Sequence, residues 1–367
     1  MKIKKLSFKN NKTGWSVKDV NFSSLTLLVG ASGVGKTQIL KVLSTLSSIA
    51  EGRSYNGREW NIQFEESNIE YTWSGRFELV DSDQPDFFEN AEYAIFEEKL
   101  TANSKIIFSR NSSELLYHDQ PTVKLDSSKS AIELLKEEND IAVVNKAFKK
   151  INWLRLADGE RISFGPWRYK NMDTAYTLSE IKNLKFRSAI DKLFLIQKND
   201  IQSFNSIKES FQDIFPLVED IDFEIASIFK DEVIPLLKIK EFGVNNWIKQ
   251  PEISSGMYRT LSQIVTLTLA DDGDVILIDE FENGLGINCI DNLADMALEP
   301  DANIQIIMTS HHPYIINAIP FNDWRIVSRT GSNVSVNTAK DLNLGTHSKH
   351  DAFMQLIQTS AYKTGQS

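Results

Sequence analysis

The sequence predicts an α/β fold: a mixed sheet with an antiparallel β layer, interrupted by an inserted, mainly helical lid subdomain. Three observations predict it. A short apolar run at residues 25–29 feeds into a glycine-rich turn and then into a helix-patterned stretch at 37–50. Residues 60–116 hold several short runs of strand-forming residues separated by Ser, Asn and Asp. Two further apolar runs, 275–278 and 304–308, flank a helical pattern and end in acidic or hydroxyl residues.

Taken in chain order, residues 3–8 and 15–22 read as strands bounded by polar turns. The run 25–29 is nearly all apolar, as expected of a strand covered on both faces in a parallel sheet. Ile39, Leu40, Val42, Leu43 and Leu46 then fall on one side of a helix. From about 130 to 237 the pattern is mostly helical. No heptad repeat persists there for three or four periods, so a compact lid is expected rather than a coiled-coil arm. After residues 252–256 comes a helix with Leu261, Ile264, Val265 and Leu269 on one face, followed by the strand 275–278. A helix near 290–297 leads to the strand 304–308. The expected organisation is an N-terminal lobe at 1–125, a lid at 126–245 and a C-terminal lobe at 246–367.

Composition narrows the class. With 367 residues, 41% of them apolar, the chain has a globular composition. Cys289 is the single cysteine, which excludes an intrachain disulfide and a multi-thiolate zinc site, and a reducing cytoplasm is the expected compartment. The basic start lacks an apolar segment behind it, so no signal peptide is expected, and the apolar runs are too short to span a bilayer. A soluble chain with no membrane partner is therefore expected. Net charge is −10, a field that opposes nucleic acid in general. Lysine clusters at 2–5, 146–150 and 238–240 read as solvated faces, and nucleic acid stays open as a partner.

The chemistry begins at Gly30-Ala31-Ser32-Gly33-Val34-Gly35-Lys36-Thr37, which satisfies G-x-x-x-x-G-K-[ST] in full. Such glycines let backbone N–H groups wrap phosphates at the positive end of the following helix. Lys36 would reach the β- and γ-phosphates and Thr37 would ligate Mg²⁺, with Gln38 beside them. ATP and Mg²⁺ are thus the expected cofactors. Asp279 and Glu280 close a run of four apolar residues, a weak signal alone. Given the phosphate loop, they form a Walker B pair: Asp279 helps hold Mg²⁺ and Glu280 polarises the attacking water. ATP hydrolysis is the expected reaction.

Ser254, Ser255 and Gly256 begin 25 residues before Asp279 and open a helix. A serine–glycine turn there can offer hydroxyl and N–H donors to a phosphate, though it also serves as an ordinary N-cap. His311 or His312, just after the strand 304–308, can donate to a γ-phosphate; His311 lies nearer the strand end and is preferred. Gln63 and Trp15 are weaker candidates. An exposed strand position is the favoured reading of Gln63 and core packing that of Trp15, against roles as a Q-loop ligand and an adenine platform.

In this order, the four motifs resemble those of ABC-type ATPases, and within them the SMC, RecF and OLD clade rather than transporter subunits. The phrase Ile278-Asp-Glu-Phe-Glu-Asn-Gly-Leu-Gly286 is similar to that clade's Walker B and D-loop, and Ile253-Ser-Ser-Gly-Met-Tyr-Arg259 to its signature. The β-rich stretch resembles stand-alone prokaryotic ATPases of phage-defence operons, including the Septu ATPase. The resemblance implies a P-loop NTPase of ABC type in which two copies sandwich two ATP molecules, Ser255 and Gly256 of one copy facing Lys36 of the other. It further implies that closure of this homodimer switches a partner effector, a nuclease or toxin from the same operon. The alternative is a DNA-repair or chromosome-maintenance ATPase that binds DNA directly; the acidic charge and the missing coiled-coil arms count against it. A transporter ATPase would carry an LSGGQ-like signature, where this chain has Ile253-Ser-Ser-Gly-Met257. Fifty-six residues follow His311 and contain no Asp-x-Asp cluster, so a Toprim nuclease domain is not expected.

Overall fold

The computed structural model describes residues 1–81, 92–154, 167–168, 175–184, 187–229, 232–300, 302–345 and 349–366. The chain forms two compact units, the first comprising Met1–Trp153, Gly273–Phe281 and Asn303–Ser367, the second Leu154–Asp272 and Glu282–Ala302.

Unit one opens with β1 (Lys2–Asn10), β2 (Ser16–Asn21), β3 (Leu25–Val29) and α1 (Lys36–Ala50). An antiparallel run follows: β4 (Arg58–Glu66), β5 (Ile69–Phe77), β6 (Ile95–Ala102), β7 (Lys105–Arg110), β8 (Leu115–Tyr117) and β9 (Gln120–Pro121). The short helices α2 (Ala131–Leu134) and α3 (Asn139–Lys149) then lead to β10 (Ile151–Leu154).

The second unit holds β11 (Trp167–Arg168), α4 (Leu178–Lys182), α5 (Ala189–Asn199), α6 (Ile201–Ile214), β12 (Val218–Phe229), β13 (Glu232–Glu241), β14 (Ile248–Lys249) and α7 (Ser255–Thr268). The chain returns to unit one for β15 (Val275–Ile278) and to unit two for α8 (Ile287–Leu298). It finishes in unit one with β16 (Gln305–Thr309), α9 (Pro313–Ala318), β17 (Trp324–Thr330), β18 (Asn333–Thr338), α10 (Lys349–Leu356) and α11 (Ser360–Lys363).

Among the described residues the main sheet runs β10-β15-β16-β3-β17-β18-β2-β1-β4-β5-β6-β7-β8-β9. Its first part is parallel where β15, β16, β3 and β17 neighbour one another, and β1 with β4 to β9 is antiparallel throughout. Every residue of β15 and β16 is buried, which is why β15 is wholly apolar and β16 apolar between Gln305 and Thr309. The antiparallel layer instead alternates. Trp60, Ile62 and Phe64 of β4 point inward while Glu59, Asn61 and Gln63 are exposed. Inside, Trp60 meets Trp73 at 5.1 Å between ring centroids, and Phe148 of α3 packs edge-on against Trp73 at 4.9 Å and Phe64 at 5.2 Å.

α2 and α3 therefore pack with this sheet. Their apolar residues Ile132, Ile141, Val144 and Phe148 join its core, so the stretch just after residue 125 lies in unit one. A buried carboxylate ties α2 down: Glu98 on β6 accepts hydrogen bonds from Trp73 Nε1 at 2.9 Å, Ser130 Oγ at 2.5 Å and the Ala131 N–H at 2.9 Å. The Arg110 guanidinium stands 3.9 Å away.

Unit two departs from the expected helical stretch. Residues 218–241 form two long antiparallel strands, β12 and β13. The local pattern explains it: Ile221, Phe223 and Ile225 alternate with Asp220, Asp222 and Glu224, a period of two that a helix would not segregate. The acids meet lysines across the sheet, Asp222 with Lys238 at 2.8 Å and Glu224 with Lys249 at 3.2 Å. Residues 155–166, 169–174, 185–186 and 230–231 of that stretch lie outside the described residues. No helix of the described residues is long and apolar enough to cross a membrane.

Candidate nucleotide site

The phosphate loop joins β3 to α1 in unit one, as its strand–glycine–helix context requires. α1 starts after Gly35, which has φ of 110° and no side-chain cap, and its first turn carries no acidic residue. The first-turn N–H groups and the positive end of the helix dipole are therefore not neutralised by a local carboxylate, an arrangement suited to an anion. Gly30 must be glycine, because a Cβ there would overlap the Val327 carbonyl of β17. Lys36 is only 5% exposed. Its ammonium donates to the carbonyls of Gly30 and Ala31, each at 2.8 Å, which keeps the charge solvated inside the loop. Ser32, Gly33 and Gln38 are exposed, Ala31, Gly35 and Thr37 half-buried, and Val34 buried.

The parallel pairing of β3 with β16 and of β16 with β15 brings the loop and the acids together. Thr37 Oγ1 donates to Asp279 Oδ1 at 3.0 Å. The same carboxylate oxygen accepts from Thr309 Oγ1 at 2.8 Å, and Thr309 in turn accepts the Glu280 N–H at 2.7 Å. Glu280 has φ of 48°, a left-handed conformation uncommon for a non-glycine residue, and is exposed. Thr37 and Asp279 supply two hard oxygen donors beside the phosphate loop, the ligand chemistry Mg²⁺ requires. The residues present thus fit the metal.

Two adjacent histidines follow β16. His312 is the N-cap of α9, where its Nδ1 accepts the Tyr314 N–H at 3.3 Å. That ring nitrogen is engaged in holding the helix start, whereas His311 lies one residue nearer Thr309 at the strand end. Trp15 is half-buried with its indole edge against Gly35, Nε1 lying 3.5 Å from where a Cβ on that glycine would stand. It also packs on Phe8 at 6.2 Å. Gln63 is an exposed residue of β4, between Lys5 and Thr72 on the open face of the sheet.

The serine–glycine motif is in unit two, at the start of α7. Ser254 Oγ caps the helix by accepting the Met257 N–H at 3.2 Å, and Ser255 is exposed at the first helical position. Arg259, buried at 5% exposure, donates from Nη1 to the Asn283 carbonyl at 2.6 Å. Gly284 rests on the Arg259 side chain, and its carbonyl lies against Gly256. The arginine thereby fixes the loop after the acidic pair to the helix that carries the motif.

Sequence reasoning missed Thr309 and Arg259 as site residues. A hydroxyl at the end of the neighbouring buried strand was the available signal for the first. An arginine five residues after the cap Ser254, on the side of its helix that carries Ser255, Gly256, Ser262 and Gln263, was the signal for the second.

Residues 25–317 match the model of a protein family described as "AAA domain, putative AbiEii toxin, Type IV TA system". No curated protein matches the chain. Among solved structures, the Smc head bound to the C-winged helix domain of ScpA is similar at 15% identity and TM-score 0.53, covering 92% of this chain and 97% of that one. The SMC head domain from Thermotoga maritima matches at 14% identity and TM-score 0.44, covering 92% and 99%. The Smc head with an extended coiled coil, bound to the C-terminal domain of ScpA from Pyrococcus furiosus, also matches at 14% and 0.44, covering 93% and 98%. The first of these shows a shared fold, that of an SMC head. With its phosphate loop and acidic pair on that fold, the chain belongs to the AAA-domain family whose model it matches, as a P-loop ATPase of the ABC type.

Proposed function

We propose that the chain binds Mg-ATP at residues 30–37, hydrolyses it, and uses nucleotide-driven homodimerisation as a switch for a partner effector, a nuclease or toxin, in antiphage defence. The observation that carries the reading is the convergence of Thr37, Thr309 and the Glu280 backbone on one side of Asp279, beside the buried Lys36.

In this mechanism the loop N–H groups and Lys36 bind the phosphates. Lys36 exchanges its two loop carbonyls for phosphate oxygens of the nucleotide. Thr37 and Asp279 hold Mg²⁺, which when bound neutralises charge on the β- and γ-phosphates. Glu280, aimed outward by its backbone conformation, orients and polarises the attacking water. His311 donates to the γ-phosphate and reports its presence. The exposed start of α7 supports a role for Ser255 and Gly256 as donors to the γ-phosphate held by a second copy. ATP drives closure only through its greater affinity for the closed state, which these contacts from the second copy supply.

The family's toxin–antitoxin description and the resemblance to phage-defence ATPases support an effector from the same operon, in the cytoplasm. A second reading, a DNA-maintenance ATPase that binds DNA directly, draws on the SMC-head fold and is opposed by the net charge of −10.

Native mass spectrometry of Glu280→Gln protein, purified with Mg-ATP from a host carrying the neighbouring genes, tests the proposal. Two copies, two nucleotides and a second polypeptide are expected. A nucleotide-bound dimer that lacks a protein partner and binds duplex DNA with steep salt dependence would favour the second reading. A monomer without nucleotide would overturn both.

A further inference from the structure

Residues 360–365 reach the phosphate loop from a part of the chain to which no motif points. The Ala361 carbonyl accepts the Ala31 N–H at 3.3 Å, and Ala361 is buried. The chain then turns back, with the N–H groups of Thr364 and Gly365 both bonded to the Ser360 carbonyl, at 2.8 and 3.0 Å. The Gly365 carbonyl accepts the Arg329 N–H of β17 at 2.7 Å. That strand also bounds the start of the loop, through Val327 beside Gly30.

Gly365 itself has φ of 75°, and a Cβ there would overlap Cγ1 of Val34 and stand 3.3 Å from Cβ of Ala31. The backbone of Ala31 is consequently held at both of its polar groups: its N–H by Ala361, its carbonyl by Lys36. Val34, in the middle of the loop, is 4% exposed.

We propose that residues 360–365 form a positioning strap for the phosphate loop, and that Gly365 is the residue that lets the strap close on Val34. The inference rests on the nucleotide-binding reading of residues 30–37. Its physical content is preorganisation. A loop anchored at Ala31 and Val34 has lost its conformational freedom during folding, so ordering it does not oppose nucleotide binding. The strap touches the loop at Ala31 and Val34, so it acts through the placement of N–H groups.

The test is a binding and kinetic comparison in the full chain. Gly365→Ala should raise the ATP Kd on the order of tenfold. KM should rise with it while kcat stays within about twofold, since only ground-state placement is disturbed. In a Val34→Ala background, where the obstructing methyl is gone, the same change at Gly365 should raise Kd much less. Thr359 caps α11 by accepting the Tyr362 N–H at 3.2 Å, so it gives a variant without added bulk. Thr359→Ala should weaken ATP binding severalfold and speed hydrogen exchange at the Ala31 amide, and Thr359→Ser should restore both. Wild-type affinity in both Gly365→Ala and Thr359→Ala would overturn the strap. Equal losses from Gly365→Ala in the two backgrounds would do so as well. A wild-type chain that binds no ATP would instead remove the nucleotide-binding reading, and the strap with it.

Discussion

Thr309 and Asp279 are joined by a 2.8 Å hydrogen bond in which the threonine hydroxyl donates to the Oδ1 atom that also receives Thr37. The same hydroxyl accepts the Glu280 N–H, so one side chain on β16 sets the carboxylate of Asp279 and the backbone of Glu280. Thr309→Val keeps the shape and deletes both bonds. The Glu280 N–H loses the acceptor that Thr309 supplies, and Asp279 loses a donor. Turnover is expected to fall about 10- to 100-fold with ATP affinity little changed. Thr309→Ser should retain most of it, which steady-state hydrolysis would check; equal loss in both would show that the methyl and not the hydroxyl matters.

The adjacent histidines should separate cleanly. His312→Ala removes the cap on α9 and is expected to lower stability by about 0.5–2 kcal/mol while hydrolysis continues. His311→Ala should leave the unfolding midpoint in place and reduce turnover. Paired denaturation and ATPase assays read both effects, and the reverse pattern would transfer the γ-phosphate role to His312.

Arg259 offers a way to disturb the signature turn while leaving the phosphate loop alone. Arg259→Ala deletes the 2.6 Å bond to the Asn283 carbonyl and the surface on which Gly284 rests. ATP binding to isolated protomers should persist, whereas ATP-dependent dimers, followed by analytical ultracentrifugation, should become scarce. Arg259→Lys is not expected to rescue, since an ammonium lacks the planar fork. Normal dimer formation in Arg259→Ala would sever the link between this turn and closure.

Glu98 tests the fold apart from the site. Burial pushes its carboxyl above the usual range, yet each of its hydrogen-bond partners donates, so the carboxylate is the form this geometry holds. Glu98→Gln would turn an amide against these donors and leave Arg110 without its counter-charge. A loss of about 3–5 kcal/mol in urea unfolding is expected from breaking a buried pair. Unchanged stability would mean that Glu98 is protonated in the folded chain.

Much of the candidate site was legible because its signals are local. The spacing from Gly30 to Thr37 encodes a phosphate loop, and four apolar residues before Asp279 encode a buried strand ending at its edge. The β12–β13 pair was missed although its alternation is equally local, because the apolar residues of 201–214 set up a helical period that seemed to continue past Pro216. Pro216 ends that helix, and the period changes from 3.6 to 2 just beyond it.

By itself the sequence determined most strands and helices of unit one and a loop with phosphate-binding spacing, since each depends on neighbours only a few residues apart. Tertiary structure alone decided that Thr309 would hold Asp279 and Glu280, and that Ala361 would meet Ala31. The reason is strand order: β3 lies between β16 and β17, so the loop that follows it is bounded by whatever those distant strands bring. Contacts of that kind leave no period in the chain, because they are single hydrogen bonds between residues that only the folded sheet makes neighbours.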